Sequence, residues 1–139
     1  MRALIILVGF LFVVSGCARY QDCGSDINCF KDYAKTCTKS KLLLDNEKGN
    51  VLVTLRGIKD GTCGISFKIA EVKENVRNSY PDASELKGKT LNCFIPMKYE
   101  NKEAVIADAQ KFEEYCTGQI KEIVQGPLKD TLRKELIKI

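Results

Sequence analysis

The sequence predicts a single α+β domain in which a short N-terminal helix and C-terminal helices pack on one face of an antiparallel sheet of about four strands, stapled by disulfides. Three observations predict this fold. Apolar residues alternate in the middle of the chain, they recur at helical spacing on both sides of it, and six cysteines are spread over the same region. Of the 139 residues, 45% are hydrophobic, so the chain is too apolar for a disordered protein and has room for one domain.

The first element is a leader that precedes the fold. It has a positive start, an almost entirely apolar stretch at residues 4–14, and the small residues Ser15 and Gly16 directly before Cys17. The apolar stretch is shorter than the roughly 20 residues that span a bilayer. This layout predicts an export signal over residues 1–16.

The end of the leader, Val14-Ser15-Gly16-Cys17, resembles the lipobox of prokaryotic lipoprotein precursors, and the resemblance is limited to residues 1–17. It implies that Cys17 receives a diacylglyceryl group and becomes the mature N-terminus. Residues 17–22 are then a lipid-anchored tether and residues 23–139 the domain. The protein would be exported and held at the outer face of a membrane or the cell surface of a prokaryote, with membrane lipid as its first partner. The alternative is a plain secretory leader in which Cys17 is incidental.

The remaining cysteines form an even set, which in an exported domain predicts three disulfides. They are Cys23, Cys29, Cys37, Cys63, Cys93 and Cys116. A metal site or a redox pair is disfavoured because the chain has no Cys-x-x-Cys spacing and no His. Cys93 with Cys116 is the favoured pair, since Cys93 has the core parity of a strand and Cys116 lies on the apolar side of a helix.

The N-terminal half contains a helix followed by strands. Ser25 or Asp26 is expected to cap a helix that ends near Cys37. Alternation predicts strands at residues 41–44 and 50–58, which form a hairpin. A turn at Asp60-Gly61 then leads into a strand whose core face carries Cys63, Ile65, Phe67 and Ile69.

The C-terminal half is predicted to alternate loop, strand and helix. Residues 74–88 are polar and contain a proline, so we expect the longest loop there. A strand follows at residues 90–97, and then a helix capped by Asn101 that continues to Cys116. A short apolar piece at residues 120–124 precedes a last amphipathic helix at residues 128–139.

Several apparent motifs lack the context that their chemistry requires. Residues 83–90 fit a loosened phosphate loop, but a strand is predicted after them instead of a helix. Ser84 and Lys87 match an acyl-enzyme Ser-x-x-Lys without its companion segments. The polar turn at residues 45–49 lacks the ligand spacing of a calcium loop. Basic and acidic residues are interleaved and the net charge is +4, which disfavours nucleic acid as a partner.

These observations favour a small membrane-anchored extracytoplasmic lipoprotein that is not catalytic, needs no cofactor or metal, and binds a protein partner or envelope component. Strand edges or the loop at residues 74–88 are the expected contact surface. One alternative is a secreted, disulfide-rich module that binds a ligand or inhibits a partner. A second alternative is a hydrolase that uses paired carboxylates, for which the sequence places no two carboxylates together.

Overall fold

The computed structural model describes residues 19–79 and 81–124, which form an α+β fold with a six-stranded sheet. The strands are β1 (Gln21–Asp22), β2 (Ser40–Asp45), β3 (Gly49–Lys59), β4 (Thr62–Val72), β5 (Thr90–Pro96) and β6 (Cys116–Thr117). The helices are α1 (Ile27–Thr36), α2 (Glu74–Ser79), α3 (Lys102–Ala107), α4 (Ala109–Tyr115) and α5 (Gln119–Val124), with a 3₁₀ helix at Pro81–Leu86. The α+β class predicted from the sequence is confirmed.

The sheet corrects the prediction of about four antiparallel strands. Strands β2 to β6 form an antiparallel meander, but β1 pairs in parallel with β2, so the sheet is mixed. The added strands β1 and β6 have two residues each, which is too short for alternation to show in the sequence. Gln21 and Asp22, predicted to lie in the tether, are therefore part of the sheet: the Gln21 amide donates to the Lys39 carbonyl at 3.0 Å.

Helix α1 begins and ends at residues whose chemistry favours helix ends. The Asp26 carboxylate accepts hydrogen bonds from the amides of Asn28 and Cys29, so Asp26 is the N-cap. At the other end Cys37 adopts a left-handed conformation with φ of 53°, and its amide donates to the Ala34 carbonyl. The helix therefore occupies the segment that the sequence predicts.

The β3–β4 hairpin forms the centre of the sheet. Its turn is Asp60-Gly61, as predicted, with φ of 50° and 72°, the left-handed pair that a two-residue hairpin turn requires. One face of the sheet is apolar across four strands, because Leu42, Val53, Phe67 and Leu91 are successive register partners. All four side chains are buried, and Phe67 is on the face that the sequence predicts for the core side of its strand.

Two segments of the C-terminal half differ from the prediction. The segment 74–88 is expected to be a loop, but Glu74–Ser79 form α2 and Pro81–Leu86 form the 3₁₀ helix, whose Ala83 and Leu86 are buried. The helix predicted from Asn101 to Cys116 is broken at Asp108, because the Asp108 carboxylate accepts from the amides of Gln110 and Lys111 and so starts α4 anew.

The helices and the apolar sheet face share one core. Its helical members are Phe30 of α1, Val105 and Ile106 of α3, Phe112 of α4 and Ile120 of α5. Within the described ranges, no helix has both the length and the hydropathy to cross a membrane. The leader at residues 1–16, Cys17 and the helix predicted at residues 128–139 lie outside the described residues.

Candidate functional site: a lysine-floored groove

A groove of about 590 Å³ lies between α1 and the start of α3. Lys31, Ala34 and Lys35 of α1 form one wall. Met97, after β5, and the segment from Glu100 to Glu103 form the other. The groove therefore combines charged side chains with a small apolar surface, which is the composition of many ligand-binding sites.

Lys102 is the unusual member of this lining. It is the first residue of α3 and is only 6% exposed, although lysine is among the residues least often buried. Its helical neighbours at positions three and four further on, Val105 and Ile106, are core residues, so Lys102 begins on the buried side of the helix.

The Lys102 ammonium has no hydrogen bond and no ion pair within the part of the chain that the structure describes. The aliphatic stem of a lysine can pack against apolar surface while its charged end reaches the nearest polar space. For Lys102, that space is the groove that the residue lines.

The other charges of the groove are partly engaged with one another. The Lys31 ammonium lies 3.6 Å from a Glu103 carboxylate oxygen, so an ion pair joins α1 to α3. Lys35 pairs with Asp32 one turn earlier, at 2.7 Å. Both pairs are exposed, so each stabilises the fold only slightly. The positive charge of Lys102 is the one that these pairs leave uncompensated.

Two disulfides hold the α1 wall of the groove, and a backbone hydrogen bond holds the other wall. Cys23–Cys29 closes the start of α1, and Cys37–Cys63 joins the end of α1 to β4. On the opposite wall the Met97 amide donates to the Gly61 carbonyl, which fixes the chain as it leaves β5. Both walls of the groove are therefore tied to other parts of the fold.

A pair of tyrosines lies close to this wall. The rings of Tyr99 and Tyr115 have centroids 6.1 Å apart, and the ammonium groups of Lys98 and Lys111 lie 5.2 Å and 5.1 Å from the Tyr99 ring centroid. The neighbouring Tyr99 phenol, burial and the Glu114 carboxylate raise the pKa of Tyr115 well above its usual range. Tyr115 therefore stays a neutral phenol at physiological pH.

The six predicted disulfide cysteines all pair in the structure. The bonds are Cys23–Cys29, Cys37–Cys63 and Cys93–Cys116, and the last is the pair favoured from the sequence. Cys116 caps the C-terminal end of α4, as the sequence predicts for its helix, and is also the first residue of β6, where it is the direct register partner of Cys93.

The segments with apparent motifs have structural roles in the fold. Residues 83–90 run from the 3₁₀ helix into β5, with no helix after Gly88 to receive a phosphate. In the turn at residues 45–49, Asp45 pairs with Lys73 at 2.7 Å, and the Asn46 side chain accepts from the amides of Lys48 and Gly49. Among the described residues, no cluster of three or more Cys, Asp or Glu side chains is arranged to hold a metal ion.

Comparison with protein-family models, with curated proteins and with solved structures finds no match to this chain. Its function is therefore argued from its own residues. Sequence reasoning did not single out Lys102. Its position could have indicated burial, because Lys102 precedes Val105 by three residues and Ile106 by four and so shares the apolar side of that helix.

Proposed function

We propose that this chain is a small membrane-anchored extracytoplasmic lipoprotein, not an enzyme, that binds a protein partner or an envelope component. The acyl chains are carried by Cys17. Two acyl chains on one residue give the stable attachment that a single chain does not. The groove between α1 and α3 is the contact surface that the geometry supports best.

The disulfides are the observation that carries the export part of this proposal. All six cysteines of the described residues are paired, and five of them are buried. Disulfides of this kind form and persist in oxidising compartments outside the cytoplasm. An export signal and a lipobox-like sequence ahead of the domain agree with that environment.

Metabolic labelling with palmitate tests the anchor. We expect the native protein to incorporate label and to fractionate with membranes, and the Cys17→Ser variant to lose both properties while keeping its three disulfides. A Cys23→Ser, Cys29→Ser double variant is the matched control, because it also removes cysteines near the N-terminus but leaves Cys17 in place. Label that persists in Cys17→Ser contradicts the proposal.

A second candidate is a secreted ligand-binding or inhibitory module without an anchor. The groove favours it, since a solvent-facing pocket of about 590 Å³ with a buried lysine is useful to a soluble binding protein as well. The two candidates differ in where the protein is found. Unlabelled protein recovered from the culture medium, with its leader removed, supports the second candidate.

A further inference from the structure

We propose that the groove between α1 and α3 binds the compact anionic group, a carboxylate or a phosphate, of a ligand that also carries a small apolar part, and that the Lys102 ammonium is its principal contact. The inference deepens the proposed binding function and rests on it, but it does not depend on acylation of Cys17.

The first argument is the state of Lys102 itself. The side chain of Lys102 is only 6% exposed, but its ammonium is not one of the buried polar atoms, so the stem is packed and the charged end keeps contact with the groove. The ammonium has no carboxylate partner among the described residues, although Glu100 and Glu103 line the same groove. A packed stem holds this free ammonium in place, where an anion in the groove can pair with it.

The second argument is the arrangement of the neighbouring charges. The Glu103 carboxylate is engaged by Lys31 across the groove, which lowers its repulsion of an incoming anion. Lys35 is paired with Asp32 outside the lining, so among the charges of the groove only Lys102 and Glu100 are without an ion pair to another described residue. One unpaired lysine beside one unpaired glutamate suits a ligand with a single compact anionic group better than a highly charged polyanion.

The third argument is the apolar part of the lining. Met97 and Ala34 face the same space from opposite walls. Methionine adapts its shape to small apolar groups, and alanine leaves room for them. A lysine that fixes an anionic end beside a short apolar surface gives both orientation and selectivity.

The test is an NMR titration of the native full-length protein in an uncharged detergent, at constant ionic strength. Propionate and inorganic phosphate are the two probes, and chloride is the reference. We expect saturable shifts of the amides of Ala34, Met97 and Glu103 with at least one probe. The stronger probe identifies whether a carboxylate or a phosphate is preferred.

Two lysine variants decide whether Lys102 is responsible. Lys102→Met keeps the length and the apolar stem of the side chain but removes the charge, and we expect it to weaken binding at least tenfold. Lys87→Met is the matched control, because Lys87 is exposed and lies outside the groove. Equal titrations for the native protein and Lys102→Met overturn the proposal, as do shifts that do not saturate.

A third variant keeps the test decisive if Lys102→Met does not fold. Ala34→Met narrows the groove from the α1 side and leaves Lys102 unchanged, so we expect weaker binding of both probes. Unchanged binding in Ala34→Met shows that the probes do not occupy the groove. A negative result in these titrations leaves the palmitate experiment unaffected, so the two proposals fail separately.

Discussion

At the scale of single residues, the charge of Lys102 is expected to matter for binding and not for stability. The stem of Lys102 is packed, but its ammonium makes no hydrogen bond or ion pair with the described residues and keeps contact with the groove. We expect Lys102→Met to keep the packing of the stem and to change the free energy of unfolding by less than about 1 kcal/mol. Urea denaturation of the oxidised protein measures this change, with Lys87→Met expected to stay within about 0.5 kcal/mol of the native protein. A clear loss of stability in Lys102→Met contradicts the interpretation of its charge as uncompensated.

Tyr115 gives a prediction about pH at the same scale. Its pKa is raised above the usual 10.0 in the folded protein, so the unfolded chain loses the phenolic proton first as pH rises. The stability that depends on neutral Tyr115 is therefore complete below about pH 10 and is lost above it. We expect the stability of the native protein to fall relative to Tyr115→Phe as pH rises above about 10. Parallel pH profiles for the two proteins contradict this.

Some residue positions could be predicted from the sequence and others could not. The sequence placed both Cys93 and Cys116 on buried faces. Cys93 follows the alternation of apolar residues in its strand, and Cys116 follows the apolar spacing of its helix. Lys102 was not recognised, because a lysine at the start of a helix is ordinarily exposed even where its spacing places it before Val105 and Ile106. The groove that it lines joins α1 to the start of α3, segments about 70 residues apart, and no local pattern encodes that arrangement.

At the scale of elements, the disulfides differ in what they stabilise. Cys37–Cys63 closes a loop of sequence separation 26 and ties α1 to the central hairpin, whereas Cys23–Cys29 closes a separation of only 6. The loss of chain entropy in the unfolded state grows with loop length. We expect Cys37→Ala with Cys63→Ala to cost about 3 to 4 kcal/mol, and Cys23→Ala with Cys29→Ala about 2 kcal/mol.

Equilibrium unfolding in urea measures both double variants under the same conditions. The first pair also fixes the α1 wall of the groove, so its loss is expected to weaken binding of the titration probes as well as stability. If the shorter bridge proves the more important of the two, the fold depends more on the start of α1 than its contacts indicate.

Helices and strands were predicted correctly where the apolar pattern was long. The prediction failed where a single capping side chain set the end of a helix. Strands β2 to β5 and the Asp60-Gly61 turn were predicted because alternation and turn chemistry agree there. The break between α3 and α4 was missed, since the apolar spacing continues across Asp108 while its carboxylate caps a new helix. The helical turns at residues 74–86 were missed because their polar composition resembles that of a loop.

At the scale of the whole molecule, the fold determines how an anchored domain sits on a membrane. Cys17 precedes Gln21 by four residues, and four extended residues reach at most about 14 Å. Gln21 is fixed to the sheet by its hydrogen bond to Lys39. An acylated Cys17 therefore keeps the β1–β2 edge close to the lipid headgroups, whatever the rest of the domain contacts.

The side chains at this edge suit such a position. Tyr20 is exposed, and the Lys41 ammonium lies 5.0 Å from the centroid of its ring. Aromatic rings and lysines are favoured where a protein meets a membrane surface, especially one with anionic lipids. Lys87, in contrast, lies three residues before β5, and β5 is four strands away from β1.

Lysine acetylation followed by mass spectrometry tests this orientation on the acylated protein reconstituted in vesicles that contain anionic lipid. We expect Lys41 to be modified several-fold more slowly in vesicles than in detergent solution, because headgroups shield the β1–β2 edge. Lys87 is expected to react at the same rate in both, and Cys17→Ser mixed with the vesicles is expected to lose the protection of Lys41. Equal protection of Lys41 and Lys87 shows that the domain has no fixed face toward the membrane, and protection of Lys41 in Cys17→Ser assigns the contact to surface charge and not to the short tether.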